Sequence, residues 1–475
     1  VSRIFQSSVV AVALVAGWVS PAQAAAVKEP SVAEQLAAMQ AQLSQLNLRV
    51  DSLEGRVAQE KARADAAVAK LAQAQADASA ARAEVAKLAA VAPTATAKPA
   101  TEITWDGAPK LATKDGWSFK PRGRIDIAAG SVSTPAGITD RGLGFASEMR
   151  RARLGAEGTI PGGFGYKFEM DFATGSVEIT DAVITYKDGD LGLSIGQHNN
   201  FQSLEELTSS RFSSFVERAA FTDAFGFERR LGLSASYQSG AMLLQGGFFT
   251  DNIDDLSNDE NNSVGADLRA VYAPKLGKTQ LHVGGSLHWR DLNDAATSLR
   301  YRQRPFTHTS DTRFIDTGSF SARNETGYGL ELAAINGPFH FAGEAYWQKV
   351  GRAGLADPTF FGGSFELGYF MTKGDTRGYK GGQFDRVKPS NPVGKGGSGA
   401  IQVNLRYDYL DLVDAGITGG TQNGYQASLV WTPISYLRFM ANYGRIEYDR
   451  AAIAAAGGSR SYSVDVAAMR AIFDF

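Results

Sequence analysis

Arginine is the residue type whose spacing in this chain points to chemistry. Arg151 and Arg153 stand two apart in the run Arg150-Arg151-Ala152-Arg153-Leu154-Gly155, and Arg300, Arg302 and Arg304 recur at every second residue of a long polar segment. An extended chain holds residues two apart on one face. A guanidinium fork grips phosphate through two parallel hydrogen bonds, so such rows suit the handling of oxyanions. The bland alternative for the second row is a solvated loop whose charge is balanced by Asp291, Asp294, Asp311 and Asp316.

Constellations for catalysis fail one by one. The chain has no cysteine, which removes thiolate metal sites, thiol nucleophiles and disulfides. His198, His282, His288, His308 and His340 form no H-E-x-x-H pair; His282 and His288 read as polar wall residues. Gly277-Lys278-Thr279 resembles the end of a phosphate-binding loop, but Tyr272 stands where the first glycine belongs. Gly396-Gly397-Ser398-Gly399 lacks the G-x-S-x-G spacing. Neither an enzyme nor a cofactor is expected. With 48 basic and 50 acidic side chains the formal charge is -2, which argues against nucleic acid as a partner.

The elements that must position the arginines follow from pattern. Arg3, an apolar run from Val9 to Val19, and Ala22-Gln23-Ala24 make residues 1–24 a secretory signal peptide. That run is too short for the ~20 apolar residues of a spanning helix. From Leu36 the apolar positions step by three and four: Leu36, Met39, Leu43, Leu46, Val50, Leu53 and Val57. After Glu60 they continue from Ala64 to Leu88. Such heptads predict a coiled coil over 32–90, and one helix cannot bury that seam alone. Residues 91–116 read as a linker, opened by VAPTATAKPA.

From Trp117 the period becomes two. Ile401, Val403, Leu405, Tyr407 and Tyr409 alternate with Gln402, Asn404, Arg406 and Asp408, and the same holds around Tyr166–Phe172, Leu281–Trp289 and Phe339–Trp347. Strands of about ten residues with aromatics near their ends favour a transmembrane barrel. Its apolar faces meet lipid and its polar faces a watery lumen. The fold class is therefore all-β: a sixteen-stranded antiparallel transmembrane β-barrel over 117–475, preceded by the helical coiled coil. Short turns alternate with long links at 199–227, 251–263 and 291–323; only the long connection 373–398 breaks the parity. On the arginine strand, alternation gives Arg151, Arg153, Gly155 and Glu157 to the lumen and leaves Arg150 on the opposite phase, at the rim or snorkelling.

Several motifs in order resemble the phosphate-selective porin O/P family. They are Arg150 to Gly155, Asp181-Ala182 with Tyr186, Gly196-Gln197, Leu204 to Ser210, Glu217-Arg218 and Arg230-Leu231-Gly232. Arg290-Asp291-Leu292, Arg300-Tyr301-Arg302 and Gly382 to Pro389 follow. The resemblance covers about Gly116 to Phe475. It implies a trimeric bacterial outer-membrane channel, the coiled coil in the periplasm, passing phosphate or related small anions, with outer-membrane lipid around it. It also implies that 199–227 is the constriction loop, and that Arg151, Arg153, Arg218, Arg300, Arg302 and Arg304 serve the pore. In phosphate-specific members a lysine follows the Leu-Glu of this loop. Here that place is Glu206, which with the acidic residues of 251–263 favours a weakly selective or cation-preferring pore as the alternative. A further alternative is a tether, the coiled coil contacting the cell wall and the barrel serving as anchor.

Overall fold

Alternation of polar and apolar residues over sixteen segments fixes the architecture of the C-terminal unit. The computed structural model describes residues 32–91, 101–173, 175–255, 262–293 and 296–475, in two units split at Ala97/Lys98. The expected signal peptide and the start of the linker lie outside the described residues.

The first unit is one helix, α1 (Val32–Val91), of 60 residues. Ala, Gln, Glu, Lys and Leu dominate it, and Gly55 is its single glycine. Val50, Leu53 and Val57 of the heptad seam are 49%, 55% and 67% exposed.

The second unit is a closed antiparallel barrel. Its strands are β1 (Ser118–Val132), β2 (Gly144–Ile160), β3 (Phe164–Asp171), β4 (Glu178–Asp188), β5 (Leu191–Asn199) and β6 (Arg229–Ser239). Then come β7 (Met242–Phe249), β8 (Val264–Tyr272), β9 (Thr279–Asp291), β10 (Asn324–Asn336) and β11 (Phe339–Gly351). The last are β12 (Thr359–Phe370), β13 (Ala400–Asp414), β14 (Ile417–Ile434), β15 (Leu437–Asp449) and β16 (Tyr462–Asp474). Each pairs with its neighbour in sequence, and β16 returns to β1 with Asp474 opposite Arg124 and Val466 opposite Val132. Closure removes the free edges that an open sheet would expose. On β13, Gln402, Asn404, Arg406 and Asp408 are buried inside while Leu405 is 62% exposed outside, the inverse of a soluble protein.

Two expectations need correction. Part of the expected linker, Thr101–Asp106 and Ala108–Thr113, forms a hairpin turning on Gly107 and joined to β1 through Leu111 and Phe119. Tyr436 donates to Asp106 at 2.5 Å, which fastens the hairpin tip to the turn between β14 and β15. Arg150, expected on the outer phase, faces the lumen. The β1–β2 ladder pairs Asp126 with Arg151 but Ile127 with Met149, so Arg150 is the extra residue of a β-bulge and both arginines turn inward.

Three connections fill the barrel. The segment 200–228 carries two short helices, α2 (Leu204–Leu207) and α3 (Ala220–Ala224), each docked on a wall carboxylate. Glu344 of β11 accepts from the amides of Leu204 (2.9 Å) and Glu205 (2.7 Å), and Asp408 of β13 accepts from Ala220 (2.9 Å). These bonds satisfy helix N-termini that are buried away from bulk solvent. Phe221 and Phe225 of this loop share one apolar cluster with Tyr301, Phe314 and Phe320 of 292–323 and with Tyr346 and Phe360 of the wall, Phe225 meeting the rings of Tyr301 and Tyr346. Phe306 lies against Gly424 and Gly444 so closely that a Cβ on Gly424 would stand 2.3 Å from its ring. The third connection, 371–399, runs back into the barrel from the rim where the other links are turns. It carries a small hairpin, Gly378–Lys380 paired with Gln383–Asp385.

Candidate pore and constriction

The loop 200–228 is fixed to the wall by arginines from beneath it. Arg438 donates to the carbonyls of Arg211 and Ser213, the latter at 2.9 Å. Arg406 donates to the Glu217 carbonyl at 3.2 Å and to the Glu205 carboxylate at 2.8 Å, and Arg470 takes the Val216 carbonyl and the Glu217 carboxylate. Arg211 of the loop and Arg386 of the segment 371–399 both reach Asp474, so one carboxylate at the end of β16 joins three elements.

Two lumen cavities meet at this loop. The inner one, about 580 Å³, is lined by nine cationic residues, namely Arg122, Arg124, Arg151, Arg153, Lys167, Arg211, Arg218, Arg229 and Lys380. Only Glu169, Asp181 and Asp385 line it with the opposite charge. The outer one, about 240 Å³, is lined by Arg150, Arg151, Arg218, Arg304 and Arg470 with Glu206, Glu217 and Asp223. Arg151, Ser210 and Arg218 line both, so the two cavities adjoin at these residues.

Most of these cations are partnered. Arg124 and Arg151 share Asp126 at 2.5 and 3.2 Å, and Arg153 holds Asp171 (2.8 Å) and Glu169 (3.1 Å). Lys167 and Arg229 share Asp181 at 2.8 and 3.2 Å, while Arg122 contacts Glu157 and Glu169. Shared carboxylates leave Arg151 Nε and Arg150 Nε buried with no hydrogen-bond partner among the described residues.

Arg218 and Glu206 form the loop's inner tie. Arg218 Nη1 is 2.9 Å from the Glu206 carboxylate, and its other nitrogens donate to the carbonyls of Glu205 (3.1 Å), Glu206 (2.8 Å) and Thr208 (3.0 Å). The residue thus closes the loop on itself, and the pinning to the wall falls to Arg406, Arg438 and Arg470. Burial pushes the Glu206 carboxyl up, against the pull of Arg218 and Arg229 and with help from Glu205. Burial acts the same way on Glu217, but Arg470, Arg150 and Arg151 together hold it far below the ordinary carboxylate range.

The seven residues singled out from sequence do not form one cluster. Arg151 and Arg218 line both cavities, Arg153 lines the inner one, and Glu206 and Arg304 line the outer one. Arg300 and Arg302 line a separate cavity of about 750 Å³ with Arg313, Arg450 and Arg460. Arg300 is largely committed to Asp316, through Nε at 2.8 Å and Nη2 at 2.5 Å. The three arginines of the second row were expected on one side of an extended segment. Phe306, at φ 51°, turns the chain just beyond them, and Arg304 points to Asp223 (3.7 Å) and Asp311 (3.0 Å) instead.

Sequence reasoning missed Arg122, Arg124, Arg211, Arg229 and Lys380 as lining residues. Alternation on β1 carried the signal for the first two; the others sit on segments whose course no periodicity announces. Of the acidic loop after β7, Asp251 is tied to Ser263 and, at 2.7 Å, to Arg290. Residues 256–261 lie outside the described residues. His282 and His288 are wall residues as expected, bonded to Glu331 (3.0 Å) and Asp267 (2.9 Å).

A closed sixteen-stranded barrel with an apolar exterior and a charged, loop-narrowed lumen defines an outer-membrane porin. Residues 119–475 match the family described as phosphate-selective porin O and P, and the chain belongs to that family. It is 28% identical over 356 residues to Porin O of Pseudomonas aeruginosa, covering 67% of this chain and 78% of that one. An uncharacterized protein of Caulobacter vibrioides is 52% identical over 393 residues, 80% of this chain and 79% of its own. Among solved structures, OmpT of Vibrio cholerae is 11% identical with a TM-score of 0.47, covering 79% of this chain and 100% of that one. An anion-selective porin from Comamonas acidovorans is 12% identical with a TM-score of 0.46, covering 76% and 100%.

Proposed function

We propose that this porin passes small anions, phosphate or related oxyanions, passively across the outer membrane. The observation that carries this reading is the inner cavity, where nine cationic residues face three acidic ones and Arg151 and Arg218 also line the adjoining outer cavity. A low-dielectric wall strengthens the potential of such a lining and raises the local anion concentration. Glu206, the residue that most favours a cation-preferring pore, is engaged by Arg218, which reduces its weight. The family's description as phosphate-selective is consistent with the same cargo.

We further propose that three copies associate and that α1 forms a periplasmic coiled coil, since the exposed seam of Val50, Leu53 and Val57 needs an apolar partner. The coiled coil as a cell-wall tether rests on the same helix. The test of the main reading is the reversal potential of the purified protein in a planar bilayer under a KCl gradient, repeated with phosphate. Anion preference with phosphate block supports it; cation preference without block overturns it.

A further inference from the structure

The hairpin of the segment 371–399 enters the lumen from the rim where the other links are turns, and it is held there on two sides. It turns on Gly381 and Gly382, at φ 58° and 75°, which a side chain at either position would strain. Tyr379 hydrogen-bonds His282 of the wall at 2.7 Å, and Arg269 donates to the Gly382 carbonyl at 2.8 Å. The Phe384 amide donates to Thr208 of the constriction loop at 3.2 Å. The hairpin is thus anchored to both the wall and the loop, and its exposed Lys380 lines the inner cavity.

Lys380 differs from the other cations of that cavity. Every other one is within ion-pair distance of a carboxylate; Lys380 has no such partner among the described residues. A paired guanidinium shares its field with its counter-ion, whereas an unpaired ammonium keeps its whole charge and three donors. Gln383, opposite Lys380 in the hairpin register, lines the same cavity and carries an amide donor. Asp385 lies there too and opposes tight retention of an anion, which suits a site that must release its cargo.

We infer that Lys380 is an oxyanion-binding residue of the inner cavity, delivered to the pore by the hairpin 378–385. This rests on the anion-channel reading above and adds to it a specificity-determining contact outside the constriction loop.

The test uses the full-length protein in planar bilayers, with inorganic phosphate titrated against the KCl current. Lys380→Gln is expected to raise the half-blocking phosphate concentration about tenfold, the effect of losing one charged hydrogen bond. Because the chain has no cysteine, Lys380→Cys carries a single thiol. Modifying it with the ammonium-bearing methanethiosulfonate reagent restores a positive charge and should recover the block, and phosphate should slow the modification. An unchanged half-blocking concentration in Lys380→Gln, or no recovery in the modified cysteine variant, overturns the proposal while leaving the anion channel standing. If the unmutated protein prefers cations and phosphate does not block it, the channel reading falls and Lys380 falls with it.

Discussion

Arg218 holds Glu206 in an ion pair of 2.9 Å while its remaining nitrogens take three carbonyls of the same loop. The carboxylate therefore screens the one arginine that, with Arg151, lines both cavities. Replacing Glu206 with Gln removes the screen and leaves the carbonyl bonds in place. The expected outcome is a higher anion-to-cation permeability ratio in reversal-potential measurements and a phosphate block stronger by about tenfold or more, the scale of a charged hydrogen bond worth about 1.5–3 kcal/mol. Glu206→Lys moves in the same direction. An unaltered ratio in both variants means that residue 206 lies off the conduction path.

The same pair has a pH signature. Burial raises the Glu206 carboxyl, so on acidification it becomes neutral before ordinary carboxylates do. Anion preference should thus increase as pH falls toward the usual carboxylate range. The Glu206→Gln channel should be flat over that interval. A wild-type profile as flat as the variant's would remove Glu206 as the titrating group.

Arg470 carries the loop differently. It binds both the carbonyl of Val216 and the carboxylate of Glu217, and Arg150 lies 3.6 Å from the same carboxylate. Substituting Arg470 with Ala strips the half-buried Glu217 carboxylate of its nearest cation and leaves the Val216 carbonyl without this donor, a change that costs on the order of 1–3 kcal/mol. The loop should loosen, giving larger and noisier single-channel currents with lower selectivity. Normal conductance in Arg470→Ala would assign the anchoring to Arg406 and Arg438.

How much of this was legible in sequence follows from what periodicity can carry. Period two announced the strands, the polarity of both barrel faces and the lumen position of Arg151 and Arg153. It misassigned Arg150 because a bulge inserts one residue without any mark in composition. It missed Lys380 because an inward fold of 371–399 depends on three tertiary bonds, those to His282, Arg269 and Thr208. Glu206 was found through the motif around it; that Arg218 answers it could be learned only from the fold.

Arg300 and Arg302 separate by their commitments. Arg300 is exposed and fully engaged by Asp316, a surface pair of the kind worth about 0–1 kcal/mol, so Arg300→Ala should change little. Arg302 lines the same cavity without an ion-pair partner among the described residues. Arg302→Ala should lower anion preference at low salt, with the difference vanishing at high ionic strength as screening shortens its reach. A salt-independent effect would point to direct binding.

The glycine pair under Phe306 sets the position of the loop 292–323. A methyl at 424 would stand 2.3 Å from the ring, and both Gly424 and Gly444 belong to paired wall strands that cannot retreat. Gly424→Ala should displace Phe306 and destabilise the folded barrel by about 1–3 kcal/mol, the usual effect of overpacking. Heat-dependent gel mobility measures it. The companion Phe306→Ala in the Gly424→Ala background should relieve the clash; failure to do so would mean the strand itself is strained.

The proposed coiled coil makes the last test, because breaking it is expected to act on assembly and not on conduction. Leu53 and Val57 are more than half exposed. Replacing both with Asp puts charge at positions where a coiled coil requires apolar knobs. The oligomer should then dissociate at a lower temperature in size-exclusion or cross-linking assays, while conductance per channel and phosphate block stay as in the unmutated protein. An oligomer of undiminished stability would transfer assembly to the barrel wall and free the helix for a partner in the cell wall. In that case envelope integrity becomes the readout that the double variant should impair.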